Sequence, residues 1–383
     1  MRVVVACIPQ TGHLLPLLPL AEALSAQGHD VVVASGADAG DAVQERSLCF
    51  RETGPPFADW FGALAARTRG IPGQGLAPDR VERYFLPRLF GEVGAALVVD
   101  DLMAAVTDHR ADLLLFDPVM FAAPLVGTLL GVRAVQHTVG PVYDDLTLDL
   151  VADAVSPIWQ QFGLSVPPAA GMYDGTTVAI CPRSLDPSTA DRERVELMRP
   201  VSLPTTGRTP RPHTFANPER PLVYLTLGTF SNSPDVFRLV IEALRDEPIN
   251  VLVTTGRDID PAALGATPAN VHVAQFIPQA EVLPHCALVV HHAGAGTTFG
   301  ILAHGLPSVA LPQSADNFTI AARLASTGAA ISVKPADVTG DAVSAAVNAI
   351  LAESSYAESA RRLADEIAAM PPPADVAARL SAR

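Results

Sequence analysis

A glycine-rich turn between a hydrophobic strand and a helix is the part of this chain that points most directly to chemistry. The buried-looking strand Ala287–His291 runs into His292, Gly294 and Gly296, and a helix is predicted to start near Thr297. Glycine allows dihedral angles closed to other residues and a close approach of the backbone to a ligand. The free amides of a helix's first turn, backed by the positive end of the helix dipole, bind phosphate groups. The turn therefore predicts a site for a phosphate or a diphosphate.

Polar residues also end the next strand. The predicted strand Ser308–Leu311 leads into Asp316 and Asn317, which places a carboxylate and an amide at the same edge of the sheet. An amide-lined cradle with polar groups one strand away suits a nucleotide that carries a hydroxyl-rich group. A glycine-rich turn alone is a weak signal, because it also resembles a degenerate dinucleotide-binding fingerprint. The strand, the helix and the second strand end support the prediction together.

His13 lies in the first strand-to-helix loop, where a neutral imidazole could take a proton from an attacking hydroxyl group. Such a base needs an acceptor on its other ring nitrogen, and Asp117, directly after the predicted strand Leu113–Phe116, is a candidate. The structural alternatives are a helix-capping or loop role for His13 and an Asx turn or N-cap for Asp117.

Alternating strands and helices must position these residues, and such alternation implies a parallel, doubly wound sheet in each half of the chain. The predicted strands are Arg2–Ile8, Val31–Ala34, Leu113–Phe116 and Ala134–Gln136 in the first half, and Leu222–Leu227, Asn250–Thr255, Val271–Ala274, Ala287–His291, Ser308–Leu311 and Ala330–Val333 in the second. Helices are predicted at Leu14–Gln27 and Ala122–Leu130, and in the tail after Val338.

A Pro-, Thr- and Arg-rich stretch separates the two halves and is typical of an extended linker. We therefore predict an N-terminal domain at residues 1–200, a linker at 201–220, a second domain at 221–370 and a terminal helix at 371–383. Ligands of open α/β sheets bind at the carboxyl ends of the strands, so the site is expected in a cleft between the domains.

Composition limits the classes of protein that this chain can be. Of its 383 residues, 49% are hydrophobic and 17% charged, which predicts large buried cores and argues against disorder. A net charge of −14 argues against nucleic acids and anionic membranes as partners. The sequence shows no secretory signal and no unbroken apolar stretch long enough for a transmembrane helix, so a cytoplasmic location is expected.

The segment HHAGAGTTFGILAHGLPSVALPQSADNF, starting at His291, closely resembles the donor-binding signature of the family-1, GT-B glycosyltransferases. It is most similar to the bacterial enzymes that decorate polyketides and other natural products. The Gly-His-x-x-Pro-x-x-x-Leu-Ala pattern around His13 resembles the family's N-terminal segment, so the resemblance covers nearly the whole chain. It implies the GT-B fold: two doubly wound, Rossmann-like parallel-sheet domains facing a cleft, with the last helix crossing back to the first domain.

The resemblance also implies a role for individual residues. His13 becomes the catalytic base and Asp117 its partner, while Asp316 and Asn317 bind the donor sugar. The residues expected to bind the donor nucleotide and its diphosphate are Thr229, Phe276, Ile277, Gln279, His292, Gly294, Ala295, Gly296 and Thr297. The implied activity is that of an inverting O-glycosyltransferase, which moves a sugar from a nucleotide donor to a hydroxyl group of a hydrophobic natural product such as a polyketide.

Two positions depart from the family's pattern and bear on the donor. Gly300 stands where many UDP-sugar enzymes place a glutamate against the ribose hydroxyls, which favours a dTDP-sugar. Asn317 stands where glutamine is commoner and shortens the reach to the sugar by one methylene, so the sugar's identity is open and a deoxysugar is preferred.

Neither a metal ion nor a cofactor is expected besides the nucleotide-sugar. Asp258-Ile259-Asp260 matches an Asp-x-Asp metal motif, but its setting before Pro261 favours a surface turn. A monomer or a homodimer is expected.

Aromatic residues suggest where the acceptor would bind. Residues 54–80 lack periodicity and are rich in Gly and Pro, and they contain Trp60 and Phe61. With Tyr143, these residues could form the mouth of an apolar acceptor pocket beside His13, with the loop mobile in the absence of ligand. Packing of the loop explains the same residues equally well.

Two other functions fit parts of the sequence. A catalytically idle, glycosyltransferase-like activator would be marked by degenerate donor motifs and a lost base, whereas this chain keeps His13, His292 and Asp316. A nicotinamide-dependent dehydrogenase would need a glycine-rich turn after the first strand, where Pro9-Gln10-Thr11-Gly12 offers one glycine.

Overall fold

The computed structural model describes residues 1–68, 71–77, 80–190, 192, 194–201, 215–228, 234–256, 259–314 and 316–382. The chain divides into two compact units, the first formed by Met1–Pro200 with Met370–Arg383 and the second by Val201–Ala369. Most of the predicted linker lies outside the described residues. In the described part of the chain, no helix is long and apolar enough to cross a membrane.

The first unit is built on a parallel sheet. Its strands are β1 (Arg2–Ala6), β2 (Asp30–Ser35), β3 (Cys49–Glu52), β4 (Leu113–Phe116), β5 (Arg133–His137), β6 (Thr176–Ala179) and β7 (Val195–Leu197). Over the described residues they form a seven-stranded sheet in the order β3-β2-β1-β4-β5-β6-β7. The central strands β1 and β4 are continuous apolar runs, because both faces of a parallel sheet are covered by helices.

The second unit repeats this plan. Its strands are β8 (Leu222–Thr226), β9 (Asn250–Thr254), β10 (Val271–Ala274), β11 (Leu288–His291), β12 (Ser308–Ala310) and β13 (Ala330–Ser332). They form a six-stranded parallel sheet, as far as the chain is described, in the order β10-β9-β8-β11-β12-β13. In both sheets the first strand of the unit pairs with strands on either side, so the direction of winding reverses between β1 and β4 and between β8 and β11.

Helices cover both sheets. In chain order they are α1 (Thr11–Ala26), α2 (Gly40–Gln44), α3 (Phe57–Arg67), α4 (Val81–Phe85), α5 (Ala95–Asp108), α6 (Ala122–Leu130), α7 (Asp145–Gln161), α8 (Pro234–Ala243), α9 (Gln279–Val282), α10 (Ala295–Ala303), α11 (Asn317–Ser326), α12 (Gly340–Ala352), α13 (Ser354–Ala369) and α14 (Pro373–Ser381). A π-helical segment, Leu86–Gly94, joins α4 to α5.

The last helix, α14, belongs to the first unit and packs against α1. The Gln27 side chain donates to the Ala374 carbonyl at 2.7 Å, and the Arg133 guanidinium donates to the Leu380 carbonyl at 2.8 Å. These contacts attach α14 to elements far away in the sequence, and the one from Arg133 satisfies a carbonyl of the last turn, which has no partner inside the helix.

The predicted strands are all present, with ends that differ by no more than a few residues. The prediction for residues 54–80 was wrong in part, because Phe57–Arg67 form an eleven-residue helix, α3, instead of an irregular loop. The sequence analysis also missed β3, β6 and β7. These strands are only three or four residues long and lie toward the ends of the sheet, so they carry little of the apolar pattern that marks a central strand.

Candidate active site

His13 and Asp117 meet in the first unit. His13 lies in the first turn of α1 and Asp117 directly follows β4, and the Nδ1 atom of the imidazole is 3.5 Å from Oδ2 of the carboxylate. This separation is long for a hydrogen bond, and Nδ1 is buried with no hydrogen-bond partner among the described residues. The two groups are therefore in position for a hydrogen bond that a small movement of the imidazole would complete.

The backbone holds the Asp117 carboxylate in place. Its Oδ2 accepts a hydrogen bond from the Ile8 amide at 2.9 Å, and its Oδ1 accepts from the Val119 amide at 2.7 Å. Asp117 is fully buried. A buried carboxylate needs such donors, and these two fix its orientation relative to the end of β1.

The topology explains why the pair forms. His13 follows β1 and Asp117 follows β4, and these strands are paired, with Ala6 opposite Phe116. The winding reverses between them, which leaves a crevice at the carboxyl ends where ligands of open α/β sheets bind. The His13–Asp117 pair therefore occupies the switch point of the first sheet.

His292 occupies the corresponding place in the second unit, directly after β11. Its imidazole lies against two glycines: a Cβ atom at Gly228 would be 2.5 Å from Nε2, and one at Gly294 would be 2.3 Å from it. Burial lowers the pKa of His292 to about 4, so the ring is neutral at pH 7. Its Nδ1 is buried without a hydrogen-bond partner in the described chain, and this leaves a polar atom available to a ligand.

His291 shapes the turn in front of His292. Its Nδ1 accepts a hydrogen bond from the Ala293 amide at 3.2 Å, so its Nε2 carries the proton and donates to Ser308 Oγ at 3.1 Å. Ala293 has a φ of 65°, in the left-handed region. We expected glycine to supply the unusual dihedral angles of this turn, but Gly294 has an extended conformation with φ −65° and ψ 142°. Gly294 is required instead for the space that the His292 ring occupies.

The helix α10 begins at Ala295, two residues earlier than predicted, with Gly294 as its N-cap. The amide of Thr298 donates to the Gly294 carbonyl at 2.9 Å, which leaves the amides of Ala295, Gly296 and Thr297 without an acceptor inside the helix. A Cβ atom at Gly296 would meet nothing within 4 Å. The first turn is therefore open to an anion.

The segment between β10 and α9 lies at the same carboxyl edge of the second sheet as the first turn of α10. Gln279, the first residue of α9, donates from Nε2 to Thr297 Oγ1 at 3.1 Å and so joins this segment to the first turn of α10. Phe276 is 52% exposed, whereas the Ile277 side chain is buried in a small core. The Phe276 ring is thus accessible to a ligand, whereas the Ile277 side chain is not.

Asp316 and Asn317 lie at the start of α11. The Asn317 side chain is buried, and its Oδ1 and Nδ2 make long contacts of 3.4 Å with the Ser314 amide and with Asp316 Oδ1.

Gly300 is buried within α10, and its carbonyl accepts from His304 Nδ1 at 2.8 Å. Thr229 and Asp258 lie outside the described residues. The structure has no cluster of three or more His, Cys, Asp or Glu suited to a metal ion within its described ranges.

Comparison with known proteins identifies the family. Residues 239–382 match the family described as erythromycin biosynthesis protein CIII-like, C-terminal domain. L-demethylnoviosyl transferase of Streptomyces niveus is 32% identical over 388 residues, which cover 100% of this chain and 98% of that protein. The chain belongs to the GT-B glycosyltransferases of bacterial natural-product biosynthesis.

Two further proteins resemble this glycosyltransferase over nearly its whole length. Elloramycin glycosyltransferase ElmGT of Streptomyces olivaceus is 31% identical, with 99% of this chain and 97% of that protein covered. The crystal structure of the Streptomyces sp. SF2575 glycosyltransferase SsfS6, complexed with thymidine diphosphate, matches with a TM-score of 0.80 and 26% identity, and 100% of both chains is covered. The predicted GT-B fold is confirmed.

The residues predicted to bind the acceptor of the glycosyltransferase fall in different environments. Trp60 is 3% exposed and belongs to the main core of the first unit, where its ring packs against Phe57 and Phe90. Phe61, the next residue of α3, is 39% exposed. Tyr143 is half-buried and packs against the same core. The structure thus gives Trp60 a packing role, which is the alternative that the sequence analysis left open.

Sequence reasoning missed Gly228 and Ala293. Gly228 has a φ of 81° and leaves room for the His292 ring, and Ala293 forms the left-handed turn. The sequence did contain a signal for Gly228, because a glycine near the end of a buried strand suggests the close approach of another group. Nothing in the sequence marks an alanine for a left-handed conformation.

Proposed function

We propose that this glycosyltransferase transfers a deoxysugar from a dTDP-sugar to a hydroxyl group of a hydrophobic natural-product aglycone such as a polyketide, with inversion at the anomeric carbon and without a metal ion. The observation that carries the proposal is the contact of 3.5 Å between His13 and the fixed, buried carboxylate of Asp117. This arrangement suits a general base.

The chemistry of the pair follows from its geometry. When Nδ1–H donates to the Asp117 carboxylate, Nε2 is left as the proton acceptor of His13. It takes the proton of the acceptor hydroxyl while that oxygen forms a bond to the anomeric carbon. The bond from this carbon to the diphosphate oxygen breaks, dTDP departs with the electron pair, and attack from the opposite face inverts the configuration. Asp117 stabilises the imidazolium that forms.

The second unit offers donors for the departing diphosphate. The amides of Ala295, Gly296 and Thr297 and the neutral ring of His292 are N–H donors at the end of β11. Donors fixed before the reaction stabilise charge that develops on a leaving group at little cost of reorganisation. The proposal therefore assigns to these groups the role that a metal ion fills in other enzymes.

Support for dTDP comes from SsfS6, which was crystallised with thymidine diphosphate, and from Gly300. Gly300 has no side chain to bind the second hydroxyl of a ribose, for which many UDP-sugar enzymes carry a glutamate at this position. Titration calorimetry of the whole chain with dTDP and with UDP tests this part of the proposal. We expect dTDP to bind more tightly, and equal affinities or a preference for UDP would contradict the assignment.

Support for a hydrophobic acceptor comes from apolar side chains exposed on the first unit. Leu15, two residues after His13, is exposed, as are Phe61 of α3 and Leu146 and Leu150 on α7. We propose that these side chains form the surface that contacts the aglycone, since contiguous exposed apolar groups mark binding surfaces.

Turnover of dTDP-sugars with pooled polyketide aglycones, followed by mass spectrometry, tests the function as a whole. We expect His13→Ala and Asp117→Asn to lower kcat by roughly 10²- to 10⁴-fold, the usual contribution of a general base. Affinity for dTDP should not change, and the exposed His285 provides a control in His285→Ala. The anomeric configuration of the product, measured by NMR, should be opposite to that of the donor. Full activity of His13→Ala would rule out the proposed base.

A further inference from the structure

The first unit contains a cavity that none of the residues assigned above lines. It measures about 260 Å³. Phe116 and Gln136 are paired across β4 and β5 and therefore present their side chains to the same face of the sheet. Helix α7 contributes Trp159, and the segment before β6 contributes Gly171 and Tyr173.

The cavity opens on the side away from the His13–Asp117 pair. Its lining includes Val132, directly before β5, and the exposed Asp174, just before β6, so the mouth lies at the amino ends of these strands. The pair follows the carboxyl ends of β1 and β4, which is the other edge of the same parallel sheet. A ligand in this cavity would be separate from an acceptor at His13.

Three buried polar atoms in the lining make no regular hydrogen bond to the residues that the structure describes. They are Nε2 of Gln136 and Oη of Tyr173, which belong to interacting side chains, and Nε1 of Trp159, which is 3% exposed. The orientation of the Gln136 amide is fixed, because its Oε1 accepts from the Tyr173 amide at 3.1 Å. Buried donors are normally satisfied. Because the Tyr173 hydroxyl can accept from Gln136, the Trp159 N–H group is the donor that indicates an acceptor oxygen belonging to a ligand.

The wall next to these donors adopts an unusual backbone conformation. Ala169, Ala170 and Tyr173 have φ values of 50°, 56° and 66°, and Gly171 has 76°. Left-handed conformations are disfavoured for residues with a Cβ atom and persist where the surroundings enforce them, often at ligand clamps. The strained segment supports a binding role for the cavity that it encloses.

The lining defines the class of ligand. Phe116, Val132 and the ring of Trp159 are apolar, and among the described lining residues only Asp174, at the mouth, is a charged side chain. The volume corresponds to roughly nine water molecules at ~30 Å³ each, the size of a small ring compound. We propose that this cavity binds a small, uncharged ring compound whose carbonyl or phenol oxygen accepts a hydrogen bond from Trp159 Nε1. The proposal does not rest on the proposed transferase reaction.

Two probes of similar size test the proposal: acetophenone, which has an acceptor oxygen, and ethylbenzene, which has none. The chain contains two tryptophans, Trp60 and Trp159, so its indole N–H groups give two signals in a ¹H–¹⁵N NMR spectrum. We expect acetophenone to shift the Trp159 signal downfield and to leave the Trp60 signal in place. It should bind at least about fivefold more tightly than ethylbenzene. A cavity that holds only water, with no shift from either probe, would overturn the proposal, as would equal affinities.

A pair of variants isolates the donor. Trp159→Phe removes the N–H group and keeps an aromatic ring, so acetophenone should bind roughly fivefold more weakly while ethylbenzene is unaffected. Trp60→Phe is the matched control, because Trp60 Nε1 is also buried without a partner in the described residues but lies outside the cavity lining. Equal weakening by both substitutions would contradict a specific role for Trp159. If a variant fails to fold, the affinities of the two probes for the unmodified chain still test whether the cavity binds a ligand with an acceptor oxygen.

Discussion

His13 of the first unit and His292 of the second unit each have a ring nitrogen without a hydrogen bond to any described residue. His13 Nδ1 and His292 Nδ1 are both buried, and neither has a hydrogen-bond partner in the described chain. Such atoms carry a free-energy cost in a folded protein, and catalytic hydrogen bonds are often long until substrate binds. In the proposed reaction, each ring completes its contacts only when substrate is present: His13 with Asp117, and His292 with the diphosphate.

At the residue scale, the space that Gly294 leaves for His292 leads to a prediction. Its φ of −65° and ψ of 142° are open to alanine, so Gly294→Ala introduces no backbone strain. The new Cβ atom would lie 2.3 Å from His292 Nε2 and must displace the ring. We expect Gly294→Ala to lower the affinity for dTDP at least tenfold, measured by titration calorimetry.

A control for this prediction is available in the same unit. Gly340→Ala, at the start of α12, makes only an ordinary contact of 3.7 Å with Ala243 and should leave the affinity for dTDP unchanged. An unchanged affinity in Gly294→Ala would show that the position of the His292 ring does not matter for nucleotide binding.

At the scale of elements, the sequence predicted what depends on repeated apolar patterns and missed what depends on tertiary packing. Central strands such as β4 and β11 and the helix α6 follow from runs or periods of apolar residues. Helix α3 was missed because glycine and proline on either side suggest a loop, while its apolar face is stabilised by the core that it covers. The left-handed Ala293 was missed because its conformation is enforced by the buried imidazole of His291.

The packing of α3 gives a second prediction. Trp60 is buried, and a Cβ atom at Gly94 would lie 2.2 Å from its ring, so the ring fits closely against the helix that begins at Ala95. Trp60→Ala should lower the free energy of unfolding by about 3–5 kcal/mol, the usual effect of removing a large aromatic side chain from a core. Phe61→Ala removes a ring that is 39% exposed and contacts Phe57 and Phe85, so it should cost less than Trp60→Ala.

Chemical denaturation followed by circular dichroism measures both variants. The Michaelis constant for the acceptor separates the two roles further: Phe61→Ala should raise it if this exposed ring contacts the aglycone. A Trp60→Ala variant as stable as the unmodified chain would contradict the core position of Trp60.

At the scale of the whole molecule, both units follow one topological rule. Each places its candidate chemical groups after the two strands between which the winding reverses, with His13 and Asp117 at one switch point and Gly228 and His292 at the other. The alternation in the sequence predicted the parallel sheets, and the carboxyl-edge rule then predicted which loops would carry the site. The sequence could not predict the contact between His292 and Gly228, because it depends on the conformations of two separate loops.

Buried histidines in both units make stability depend on pH. Burial lowers the pKa of His137 in the first unit to about 4, and in the second unit it lowers those of His291 and His292 to about 3 and about 4. An unfolded histidine has a pKa near 6.5, so below that pH the unfolded chain binds protons that the folded chain does not. Stability is therefore lost as the pH falls from about 6.5 toward 4, by about 2 kcal/mol per histidine at pH 5.

We accordingly predict that the unfolding midpoint falls markedly between pH 7 and pH 5, where most carboxylates are still ionised. His137→Leu removes one buried imidazole at similar volume and should reduce this dependence in the first unit, whereas replacing the exposed His285 by leucine should not. Denaturant titrations at pH 7, 6 and 5 measure the slopes. A midpoint that stays constant over this range would mean that the three imidazoles take up protons without unfolding, and that their burial does not keep them neutral.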